Sequence, residues 1–160
     1  MSDYAPSGFN SFCHLMTETV TLFDSIISLE NRKVDAINEN NLSLLDQYMN
    51  DEQVYLLQMR GLDSKREKMQ ELMGASGLTF RQMIDKFERP EKAPLNFLYE
   101  ELSAKSSELK KALSETKRHV DFHLLSISAM IEKFEGSSAY DNKGEKEQTA
   151  PRARFTPTKA

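Results

Sequence analysis

Two histidines, His119 and His123, stand four residues apart, the spacing at which one helix can bring two imidazoles to a shared metal. Neighbouring ligands are missing, and the adjacent pair Cys13-His14 belongs to a different segment, so the spacing defines no metal site. No glycine-rich phosphate loop, nucleophile elbow or HExxH helix occurs. The many carboxylates are interleaved with lysines, as a solvated helix face requires. The sequence therefore assigns no catalytic residue, no metal, no cofactor and no small-molecule substrate, and the chain reads as a protein that is not an enzyme.

Charge narrows the partners further. Lys and Arg number 21 against 25 Asp and Glu, a formal net charge of −4. The basic residues at Arg60, Lys65, Arg66 and Lys68, and again at Lys105, Lys110, Lys111, Lys117 and Arg118, alternate with Glu67, Glu71, Glu108 and Glu115. Intrahelical pairing accounts for them without a nucleic acid. A single cysteine, Cys13, excludes an intrachain disulfide framework. No basic segment followed by an apolar run opens the chain, and no apolar stretch is long enough to span a membrane, so a cytoplasmic protein is expected.

The elements that carry these residues follow from punctuation and periodicity. Among 160 residues there are five Pro and six Gly, and the prolines stand only at 6, 90, 94, 151 and 157, which suits long helices. Apolar residues recur at helical steps from Phe9 through Phe12, Leu15, Leu22, Ile26 and Leu29, predicting a helix over about 7–37 that ends at Asn38-Glu39-Asn40-Asn41. Asn41 can cap the next helix.

A second stripe at Leu42, Leu45, Met49, Leu56, Met59, Leu62, Met69 and Leu72 predicts a helix over 42–73, with Glu52 and Arg66 interrupting the seam and Gly61 inside it. Gly74 and Gly77 end it. Thr79 and Gln82 form a capping box that opens a short helix over 80–88. Pro94 then stands in the first turn of a last helix over 95–134, whose seam runs Leu95, Leu98, Leu102, Ser106, Leu109, Leu113, Thr116, Val120, Leu124, Ile127, Ile131 and Phe134.

Such a stripe needs partners, so the expected fold is all-α: an elongated three-helix antiparallel, coiled-coil-like bundle over 1–135 with a short connecting helix. A polar, Pro-containing, disordered tail is expected over 136–160.

The apolar content of the last helix is uneven. Over 103–119 only Ala104, Leu109, Ala112 and Leu113 are apolar, about what one seam needs. Over 120–134 the apolar residues are Val120, Phe122, Leu124, Leu125, Ile127, Ala129, Met130, Ile131 and Phe134. Phe122, Leu125 and Ala129 form a second stripe beside the seam. Either Phe9, Phe12 and Met16 or the 80–88 helix covers it, or it is a surface for an amphipathic partner helix.

The order and spacing of three segments, LSLLDQYMNDEQVYLLQM, LDSKREKMQELMG with Arg66, and HVDFHLLSISAMIEKF, together with SSAYDNKG in the tail, resemble the FlgN family of flagellar export chaperones. Members commonly carry asparagines before the Leu-Leu pair of the last helix, where this chain has His119, Asp121 and His123.

The resemblance implies a cytoplasmic chaperone that binds the helical terminal segments of hook-associated (hook–filament junction) subunits, prevents their premature assembly and delivers them to the flagellar type III export gate. It places the client on the 120–134 face and makes Tyr140 an anchor for the export gate. A coiled-coil adaptor or scaffold that self-associates through the same stripe is the alternative.

Overall fold

The computed structural model describes residues 7–88 and 91–140, the last four by backbone alone. All regular structure among these residues is helical: α1 Phe9–Asn38, α2 Leu42–Leu72, α3 Phe80–Lys86 and α4 Lys92–Tyr140. The chain divides into two units, Met1–His123 and Leu124–Ala160.

The helix ends are set by local chemistry. Gly8 precedes α1 with φ 86°, and a Cβ there would meet the Leu72 Cβ at 3.3 Å, so both its backbone angle and its close approach to α2 call for glycine. Asn41 caps α2 by accepting from the Leu44 N–H at 3.1 Å. The capping box of α3 is complete: the Gln82 N–H donates to Thr79 Oγ1 at 3.2 Å, and the Thr79 N–H donates to Gln82 Oε1 at 2.9 Å.

Two boundaries differ from the periodicity. Phe87 is already extended, which ends α3 at Lys86. The last helix starts at Lys92 and runs to Tyr140, through Gly136. Apolar spacing stops at Phe134, but backbone hydrogen bonding needs no apolar side chain to continue. Of the expected tail, 141–160 lies outside the described residues.

In the first unit, α1 and α2 run in opposite senses, since Lys33 meets Glu52 and Gly8 meets Leu72. α4 rises alongside α1: Lys105 pairs with Asp24 at 2.8 Å, Thr116 Oγ1 donates to the Glu30 carbonyl at 3.4 Å, and His119 meets Asn38. One core gathers Phe9, Phe12, Leu15 and Met16 of α1 with Met73, Ala75, Met83, Ile84, Leu95 and Leu98. A second, smaller core joins Leu22 and Ile26 to Leu109, flanked by Tyr55, Met59 and Leu62. Each fully buried large aliphatic side chain contributes about 1.5–3 kcal/mol, so the α3 end of this unit is the better secured.

The seam of α2 keeps Leu45, Met59, Leu62 and Met69 of the expected stripe but not the other four. Leu42, Met49, Leu56 and Leu72 are exposed, whereas Leu45, Tyr48, Glu52, Tyr55, Met59, Leu62, Arg66, Met69 and Met73 turn inward at three- and four-residue steps. Glu52 and Arg66 do not interrupt the seam; they occupy it. They can do so because each has a partner there: Lys33 for Glu52, and Asp63 with Gln70 for Arg66. Gly61 has open space where a Cβ would stand, so it marks no close contact.

Candidate functional site

Within the first unit, α4 buries its predicted seam at Leu95, Leu98, Leu109 and Thr116, with Leu102 and Ser106 half-buried. Burial then fades, with Leu113 and Val120 exposed and Phe122 65% exposed against the edge of the His123 ring.

In the second unit, Leu124, Ile127, Ala129 and Ile131 are exposed, Leu125 is 72%, Met130 70% and Phe134 78% exposed. All nine residues singled out between 120 and 134 therefore face solvent. Phe9, Phe12 and Met16, considered above as their cover, are buried in the core with Met83 and Ile84 of α3. Tyr140 ends α4, and its side chain lies outside the described residues, so no geometry attaches to it.

The two histidines meet the end of α1. His119 Nδ1 lies 3.1 Å from Asn38 Oδ1 and its Nε2 lies 3.2 Å from Glu115 Oε1, while His123 Nε2 lies 3.5 Å from the same Asn38 oxygen. Glu115 also accepts from Arg118 at 2.5 Å, and that hydrogen bond, with the Arg118 charge and His119, holds its carboxyl below the usual range. These side chains tie α4 to α1. Among the described residues no group of three or more His, Cys, Asp or Glu is arranged to hold a metal ion. Cys13 is half-buried, and burial pushes its thiol up, away from the reactive thiolate.

Two polar constellations escaped the sequence reading. Glu30 is 1% exposed and accepts from Lys33 at 2.9 Å, and Lys33 also donates to Glu52 at 3.0 Å. Burial pulls the Lys33 ammonium down, but the hydrogen bonds and charges of Glu30 and Glu52 outweigh it and leave its pKa raised. Further along, buried Gln70 donates to the carbonyls of Leu78 at 2.9 Å and Ala75 at 3.3 Å while accepting from Arg66. The signal for both was the charge at inward heptad positions 52 and 66, legible only once the register of α2 is known.

An apolar helix face in solvent is a means by which one protein holds another. The FlgN family, described as FlgN protein, matches residues 1–148, and the chain belongs to that family. Its members are flagellar export chaperones, a family of binding proteins and not of enzymes, which act in flagellar biogenesis with flagellar protein partners. No curated protein and no solved structure matches the chain. None of the helices, among the described residues, is long and apolar enough to cross a membrane.

Proposed function

We propose that this chain is a cytoplasmic chaperone of flagellar type III export that binds the helical terminal segments of hook-associated subunits, prevents their premature assembly and delivers them to the export gate. The observation that carries this reading is the exposure of all nine apolar residues from Val120 to Phe134 on α4. So much apolar side chain in water is unfavourable, and an amphipathic client helix laid along it lessens the exposure. α1, α2 and the part of α4 up to His123 act as the anchor, an antiparallel three-helix bundle whose buried seam keeps α4 helical. Tyr140 serves as the docking anchor for the gate.

Co-expression with hook-associated subunits and co-purification tests the reading. A complex is expected with the native chain and not with Phe122→Asp or Leu125→Asp. Absence of a complex, or unchanged binding by both variants, overturns it. A scaffold that self-associates through the same face would instead give a stable oligomer of the isolated chain, read by sedimentation, which both substitutions dissolve.

A further inference from the structure

Successive residues of an α-helix turn by about 100°. In the first unit the inward side of α4, from Tyr99 through Leu95 and Leu109 to Ala112, covers about 140° of its circumference. Both other long helices meet that side: α1 through Phe12, Leu22 and Ile26, and α2 through Leu62 and Met69.

In the second unit the apolar positions run from Leu124 by way of Ile127, Met130 and Ala129 to Leu125, an arc of about 260°. Ser126 and Lys133 interrupt it between Met130 and Ala129, a gap of about 100°, and Ser128, Glu132 and Glu135 fill the remaining quarter. Leu125 and Ala129 thus lie on the side of the helix opposite Leu124, Ile127, Ile131 and Phe134, and where two helices cover about 140° in the first unit, one cannot cover both of these sides. The stripe Leu95, Leu102, Leu109, Thr116 continues in sequence, by way of Val120, into Leu124, Ile127 and Ile131 at three- and four-residue steps, so the cover it calls for is again helical. The acidic quarter sets the charge of whatever borders it.

Resting on the chaperone reading above, we propose that the stretch from Leu124 to Glu135 is enclosed by a pair of amphipathic helices from one client chain, each with basic residues along the edge that borders Glu132 and Glu135. Complementary charge at these edges fixes the register of the pair. One chain supplies both helices because, once the first is bound, the second docks by an intramolecular step at an effective concentration of about millimolar.

The test is hydrogen exchange and mass measurement on the complex of the full chain with a purified hook-associated subunit. Two separate segments of that subunit are expected to gain protection at one-to-one stoichiometry. Leu125→Asp and Ile131→Asp, on different sides of the arc, should each weaken binding about tenfold or more, and Glu132→Lys should weaken it at low salt. Circular dichroism confirms that these surface variants keep their helices. A single protected segment, two client chains per chaperone, or native-like binding by Leu125→Asp while Ile131→Asp fails overturns the pair and leaves the chaperone reading standing. Absence of a complex, or native-like binding by both variants, overturns the two together.

Discussion

The Lys33 ammonium of α1 donates to the Glu52 carboxylate of α2 at 3.0 Å, at the interface where both helices would ordinarily place apolar side chains. Lys33 also holds Glu30, whose second oxygen, Oε2, has no hydrogen-bond partner among the described residues. The cluster therefore carries two carboxylates on one ammonium. Lys33→Met should destabilise the fold by about 3 kcal/mol, because it leaves Glu30 charged and buried without a counter-ion. Replacing all three together by Leu, Met and Leu should cost little or stabilise, since the desolvation of the ions disappears with them. Urea unfolding of both variants checks the contrast.

The same ammonium gives an alkaline limit. Its pKa is raised above 10.5 in the folded chain, so its contribution is fully present below the unfolded value of 10.5 and is lost as pH rises through the folded value. The urea midpoint of the native chain should fall between pH 10 and pH 12 more steeply than that of Lys33→Met. Glu115 works in the other direction: with its carboxyl held below 4.5, its contribution is present above that value and is lost as pH falls through the depressed one. Glu115→Gln should flatten the acid side of the profile, and equal slopes would refute the assignment.

Gln70 organises the turn that joins α2 to α3. Its amide nitrogen serves the carbonyls of Ala75 and Leu78, and Arg66 holds the amide oxygen in place. Gln70→Ala takes the amide donor from both carbonyls, of which the Ala75 oxygen still accepts from the Leu78 N–H at 3.2 Å, and should cost about 1–3 kcal/mol. Amide exchange over 74–79 should accelerate while the middle of α1 keeps its protection, a local effect that a general loss of stability would not reproduce.

How much of this was legible in the sequence depended on the helix. α4 could be read because Leu95, Leu98, Leu109 and Thr116 repeat at seam spacing and are the residues the fold buries. The caps at Asn41 and Thr79 were legible because capping is decided within four residues. α2 was misread because hydropathy cannot see a partner: Glu52 sits inward on account of Lys33, nineteen residues away on another helix, and with Glu52 and Arg66 set aside the exposed Leu42, Met49 and Leu56 looked like the seam. The apolar excess after Val120 was visible in the sequence. That Phe9, Phe12 and Met16 lie elsewhere, in the core with α3, required the fold.

Truncation separates the two kinds of apolar residue. Phe12 is fully buried, with its ring 5.6 Å from Phe80, so Phe12→Ala should cost about 3–5 kcal/mol through lost burial and the cavity left behind. Leu125 and Met130 are exposed on α4, and Leu125→Ala and Met130→Ala should each change stability by no more than about 0.5 kcal/mol. If those two truncations leave unfolding unchanged yet weaken the complex with a hook-associated subunit, their apolar surface serves binding and not folding. A destabilisation comparable to that of Phe12→Ala would mean that the isolated chain already covers these residues, and the 124–134 face would lose its standing as a docking surface.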